Sequence, residues 1–325
     1  MRSVVSFALF ILLISKTFCQ ESFLNDSVAI LGSENKNFFA EIFPNERMNN
    51  LSYRLIAYDM HKGRIVNSID GFVTSRISIS RPLKLVSVLG VEVEKTSDGN
   101  IQKKSNGHDG LIILTSSLKV FLSIDSVMTY SWNPTGEKVA YIKGFRKQEK
   151  TMFVPTGVFI LDVKSKKSEK IADSGYDIQW AGFDSYIYIQ DWSGVLRYNT
   201  STKYLQKVGN KGIYFSADGK YYLCPGYEGK GFELFDAQSN QQVVLNSINT
   251  GDANFFQWLG GSQLVAGDMF LQKKIIDVKT GTVRKTFNGK VFAFNPHTSE
   301  IWFHMDKKVF KELNQSKIDK IKLDH

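Results

Sequence analysis

The chain has 325 residues, 42% of them apolar and 13% aromatic, with a formal net charge of +9. That length can bury a large core, and a composition this rich in apolar and aromatic side chains excludes a disordered chain. Only six Pro interrupt it, against 24 Phe and 13 Tyr, a balance that suits pleated sheet.

Residues 1–19 read as a secretory signal peptide. Arg2 gives a positive start, Val4 to Ile14 is apolar apart from Ser6, and Thr17-Phe18-Cys19 precedes a cleavage point before Gln20. The apolar run spans about 11 residues, short of the roughly 20 that a membrane helix needs. An uncleaved anchor is the alternative. The expectation is a secreted or periplasmic protein, monomeric, with no transmembrane span once the signal is removed. Cleavage takes away Cys19 and leaves Cys224 with no disulfide partner; its apolar setting, Tyr221-Tyr222-Leu223-Cys224, predicts a buried thiol. Loss of Arg2 and Lys16 lowers the charge from +9 to +7. A basic exported protein meets anionic partners, although a solvated basic surface explains the same count. Asn25, Asn50, Asn199 and Asn314 head Asn-x-Ser/Thr sequons, which matter only in a eukaryotic secretory source.

Residues 20–325 read as one domain made of repeats. An apolar strand ending in an acidic, amide or hydroxyl residue, followed by a polar turn and a second strand, recurs along the chain. The terminal residues are Asp59, Thr115, Asp162, Asn199, Asp236, Asp277 and Glu312, spaced by 56, 47, 37, 37, 41 and 35 residues. Propeller blades repeat at about 40–50 residues. A second column precedes the first: an aromatic residue, a turn, then an alternating strand. Trp132 to Tyr141 and Phe215 to Tyr222 are its best copies, and Trp180, Trp258 and Phe294 head others. Together the columns predict four strands per repeat. In the third repeat these are Met128–Trp132, Lys138–Lys143, Gly157–Asp162 and Ser168–Ala172. A lone four-stranded sheet leaves both faces bare, whereas radial stacking covers them. The predicted fold is therefore all-β, a seven-bladed β-propeller of four-stranded antiparallel blades. The last repeat is the weakest, since 309–323 is rich in Lys and could be partly helical.

The run Trp132-Asn-Pro-Thr-Gly-Glu-Lys-Val-Ala-Tyr141 resembles the repeat of TolB-like propellers and, more loosely, of WD-repeat (WD40-like) propellers; Phe215 to Tyr222 and Phe294-Asn295-Pro296 share the pattern. The Trp-Asp ending of WD repeats is absent, and Tyr58, Leu161, Phe235 and Ile276 precede the Asp instead. The resemblance implies the propeller fold and is compatible with an envelope-assembly role. It carries no functional residue over.

Chemistry-bearing motifs are scarce. His61, His108, His297, His304 and His325 form no ligand pair, no two Cys have ligand spacing, and there is no Gly-x-Ser-x-Gly elbow or P-loop. No catalytic residue, metal or cofactor is assigned, and the export signal argues against nucleic acid. Binding then falls to loops on a rigid scaffold. Two loops between second and third strands are long: Glu92–Asp109, with Lys95, Lys103, Lys104 and His108, and Gly144–Thr156, with Arg146, Lys147 and Lys150. Belonging to neighbouring repeats, they should project side by side as a basic rim, diluted by Glu92, Glu94 and Glu149. Trp192 and Tyr227, at short turns of the same kind, could stack on a sugar or a peptide side chain. The function expected is a binding module that docks a protein or an anionic polymer, such as a glycan or envelope component. The alternative is a lactonase- or lyase-type enzyme with its site at the channel mouth.

Overall fold

A computed structural model describes residues 23–33, 53–146, 153–181, 185–209, 214–216, 220–225, 231–236, 241–245, 253, 255–259, 262–267, 272–288, 290–295, 300–304 and 319–322. Every regular element named below is a strand, and consecutive strands pair antiparallel within consecutive sheets.

One compact unit covers residues 20–180 and 184–208. It opens with β1 (Val28–Leu31), β2 (Arg54–Asp59) and β3 (Arg64–Asp70), a three-stranded sheet. Then come β4 (Phe72–Ser80), β5 (Leu85–Lys95), β6 (Ile101–Lys103), β7 (Asp109–Thr115) and β8 (Val120–Asp125), in the order β4-β5-β7-β8 with β6 paired to β5. Two four-stranded meanders complete the unit. The first is β9 (Val127–Trp132), β10 (Lys138–Arg146), β11 (Phe153–Asp162) and β12 (Lys167–Ala172); the second is β13 (Asp177–Trp180), β14 (Tyr186–Asp191), β15 (Gly194–Asn199) and β16 (Leu205–Gly209).

The second unit, within 209–325, carries a three-stranded sheet of β17 (Tyr214–Phe215), β18 (Tyr221–Pro225) and β19 (Phe232–Asp236). A four-stranded sheet of β20 (Phe255–Trp258), β21 (Gln263–Gly267), β22 (Gln272–Asp277) and β23 (Thr282–Asn288) follows. Last is β24 (Lys290–Asn295), β25 (Glu300–His304) and β26 (Asp319–Lys322).

These are the blades of an all-β propeller, and the third repeat falls where its pattern places it. Four-stranded antiparallel blades are as expected, but the expected count of seven complete blades is corrected. Among the described residues, β1–β3, β17–β19 and β24–β26 are three-stranded. Isolated bridges among the described residues join Phe23 to Ala29 beside β1 and Gln242 to Phe235 beside β19. Of the Lys-rich 309–323, residues 319–322 form a strand against β25, and the rest of that range lies outside the described residues.

Both sequence columns have a physical cause. The polar residues that close β2, β7, β11, β15 and β22 each turn back onto the chain that follows. Asp59 Oδ1 accepts from the His61 and Lys62 amides at 3.1 and 3.0 Å, and Asp162 Oδ1 from the Ser165 amide and hydroxyl, both at 2.8 Å. Asn199 Oδ1 accepts from the Ser201 and Thr202 amides at 2.9 Å, and Asp277 Oδ1 from the Lys279 amide at 3.0 Å. Thr115 Oγ1 accepts from the Lys119 amide at 3.2 Å. A short side-chain acceptor nucleates the tight turn, so Asp, Asn and Thr are interchangeable in this column.

The aromatic column packs blade on blade. Trp132 Nε1 donates to the buried Ser87 hydroxyl of the preceding sheet at 2.7 Å, and Trp258 Nε1 to the Tyr214 carbonyl at 3.0 Å. Trp180 is buried with Ala140, Ile142, Ile187 and Ile189 between the β9–β12 and β13–β16 sheets. A parallel cluster of Leu111, Ile113, Tyr130 and Val139 joins β4–β8 to β9–β12. Leu223, Leu234, Phe256 and Leu264 do the same in the second unit. Cys224 is buried there, as its apolar setting predicts. Lys273 is fully buried as well, its ammonium 5.2 Å from the Phe255 ring centroid.

Candidate binding face

Strand pairing extends into both segments read as long loops. β5 runs on through Val91-Glu92-Val93-Glu94-Lys95 and returns as β6, with Val93 opposite Lys103 and Lys95 opposite Ile101. The alternation continues the pleat, and Val93 is buried. The turn between them closes with the Thr96 amide on the Asn100 carbonyl at 2.8 Å, while Thr96 and Asn100 both hydrogen-bond the Asp98 carboxylate. Those two bonds, Thr96's first, hold the Asp98 carboxyl below the usual range. Likewise β10 extends to Arg146 and β11 begins at Phe153, pairing Phe145 with Val154. A bulge at Lys143/Gly144 bends this second excursion as it leaves the blade.

The two excursions share one edge. The Ser126 amide donates to the Asp109 carbonyl at 2.9 Å, and the Gly144 amide donates to the Ser126 carbonyl at 2.9 Å. Ser126 therefore pins together the root of each hairpin.

Of the residues singled out from sequence, Lys95, Lys103 and Lys104 are exposed on the first excursion and His108 is half-buried. Lys103 is spoken for, since its ammonium pairs with Asp109 at 2.7 Å. The His108 amide donates to Glu92 Oε2 at 2.8 Å, so Glu92 acts as an internal clamp. A depression of about 420 Å³ lies beneath, bordered by Lys103, His108, Asp109, Asp125 and Ser126. Arg146 ends β10; Lys147, Lys150 and Tyr227 lie outside the described residues. Exposed apolar surface joins the lysines, with Phe145 51% and Ile101 36% exposed.

Trp192 sits in the β14–β15 turn and is 68% exposed. Asp191 Oδ1 shapes that turn by accepting from the Ser193 amide and hydroxyl at 2.7 Å. The indole meets the Tyr176 ring at 5.2 Å between centroids, tilted by 44°.

Beside it runs a polar row that the sequence did not reveal. Arg76 on β4, Thr129 on β9 and Asp177 on β13 belong to the first strands of three successive sheets. Arg76 Nη1 donates to Thr129 Oγ1 at 3.2 Å, and Thr129 Oγ1 donates to Asp177 Oδ1 at 3.5 Å. The Arg76 guanidinium also lies over the Tyr130 ring, 5.0 Å from its centroid. Burial pushes the Asp177 carboxyl above the ordinary carboxylate range, against the pull of the Arg76 charge and of bonds from the Ile178 amide and the Thr129 hydroxyl. Burial raises the Tyr176 phenol as well, followed by the charges of Asp177 and Asp191. The only sequence signal was a polar side chain inside each first strand, which is common in half-buried strands.

Among the described residues no group of three His, Cys, Asp or Glu side chains is placed to hold a metal, and no helix is long and apolar enough to cross a membrane.

No protein-family model matches the chain, and no curated protein matches it in sequence. Among solved structures, the chain is similar to a protein in a crystal structure of a nidogen/laminin complex, at 10% identity and a TM-score of 0.44, over 73% of this chain and 90% of that one. The propeller class thus rests on the chain's own sheets and the clusters between them.

Proposed function

We propose that the protein is an exported binding module that docks a protein partner through the paired hairpins at the edge of the β4–β8 and β9–β12 sheets. The kinship with TolB-like and WD-repeat propellers, carried by Trp132 to Tyr141, is part of this reading. The observation that supports it most is the joint anchoring of both hairpins on Ser126, which gives two sequence-remote excursions one rigid base. Rigid presentation lowers the ordering cost of binding. The exposed surface mixes Lys95 and Lys104 with Phe145 and Ile101. A mixture of apolar area and cations suits a folded partner with an acidic, partly apolar patch better than it suits a uniformly charged polymer. Lys103 contributes less, because docking must compete with Asp109 for its ammonium.

The test uses paired baits, the wild-type chain and a Lys95→Glu/Lys104→Glu/Phe145→Asp variant with an unchanged melting temperature. The wild type should retain a partner that the variant loses, and neither should be held on a sulfated-polysaccharide column at physiological salt. Equal capture by both baits would remove the hairpins from the interface. Retention on the column that the variant abolishes would transfer the reading to an anionic glycan.

A further inference from the structure

The cluster around Trp192 uses none of the hairpin lysines, and its chemistry is of opposite sign. A large indole stands 68% exposed at a tight turn. It is braced by Tyr176, so the two rings present one fixed aromatic corner. Two carboxylates flank that corner. Asp191 immediately precedes Trp192 and is oriented by Ser193. Asp177 immediately follows Tyr176 and is fixed by the Ile178 amide at 2.9 Å and by Thr129. Aromatic faces are the negative side of the ring quadrupole, and carboxylates beside them add to that potential. Arg76, the nearest cation joined to the row, is separated from Asp177 by the Thr129 hydroxyl and committed to the Tyr130 ring.

We propose that Trp192 and Tyr176, with the carboxylates of Asp177 and Asp191, form a receptor for one organic cation, an alkylammonium or guanidinium group. The ring faces take the weakly hydrated cation, and the carboxylates supply the countercharge. A neutral sugar could stack on Trp192 but would bring no charge to meet the carboxylates of Asp177 and Asp191.

The test observes ligand resonances by NMR with the full-length chain. Choline represents a free quaternary ammonium, N-acetylarginine amide a partner's side chain, and 3,3-dimethylbutan-1-ol is the uncharged isostere of choline. At least one of the two cations should show saturable upfield shifts from the ring currents, and the tighter of the two identifies the source. The isostere should not saturate. Trp192→Leu should weaken binding roughly three- to thirty-fold, the span from an exposed to a desolvated cation–π contact. Asp177→Asn should also weaken it, while melting no lower than wild type at neutral pH, because a carboxyl disfavoured by burial is removed. Lys95→Glu/Lys104→Glu should leave it intact, so failure of the hairpin reading and failure of this one are distinguishable. Equal binding of the isostere, no saturable shift for either cation, or a neutral glycoside that binds in a Trp192-dependent manner would each overturn the proposal.

Discussion

Single side chains set the turn geometry and the contacts between blades. The acidic column is turn chemistry, and its carboxylates titrate accordingly. The Ser165 amide and hydroxyl hold the Asp162 carboxyl below its ordinary range, with smaller help from Lys138 and Lys164. A depressed folded-state value means the contribution is full above the unfolded value of about 3.9 and lost as pH falls through the folded one. Asp162→Asn keeps the acceptor and drops the titration, as Asn199 does naturally. Its melting temperature should lie below wild type at neutral pH and converge on it as pH falls below about 4, where the wild-type carboxyl is protonated too. Ser87 is the corresponding test between blades. Its buried hydroxyl accepts from Trp132 Nε1 and lies 3.1 Å from the Tyr130 hydroxyl, so Ser87→Ala should cost about 1–3 kcal/mol in denaturant unfolding. Both columns were legible in the sequence because each acts on its neighbours within a few residues. The Arg76–Thr129–Asp177 row was not, because its members stand 53 and 48 residues apart and meet only once three sheets are stacked.

Strands were legible where alternation was clean and hidden where it was not. In the third repeat all four lie where the pattern puts them, but β10 and β11 run on into a segment that Gly144 and a run of charges disguise as a loop. Glu92 and Glu94 did the same for β5, although Glu94 accepts from Gln102 Nε2 at 3.2 Å across the hairpin and Glu92 clamps the His108 amide. The first excursion returns to its blade through Gly110, at φ +139°, where an added Cβ would stand 2.4 Å from the Ile124 carbonyl oxygen. Neither the conformation nor the backbone contact can yield cheaply. Gly110→Ala should destabilise by about 2–4 kcal/mol in chemical denaturation and loosen the Ser126 junction, seen as faster amide exchange in β6 and β7. A loss below about 0.5 kcal/mol would mean that the junction is not rigid.

At the scale of the molecule, repeat spacing announced the propeller class but overcounted the complete blades among the described residues. A spacing records where turns fall; it does not record how many residues between them keep a ladder. Function follows the same division: the blades are packing, and what distinguishes this chain lies in the few places where strands overrun their sheets. The most direct test is hydrogen–deuterium exchange on the complex formed with the partner that the wild-type bait retains. The account predicts protection over 92–109 and 144–156 together, with the turns after Asp59, Asp162 and Asp277 unchanged. Protection confined to those turns, or to the second unit alone, would contradict it.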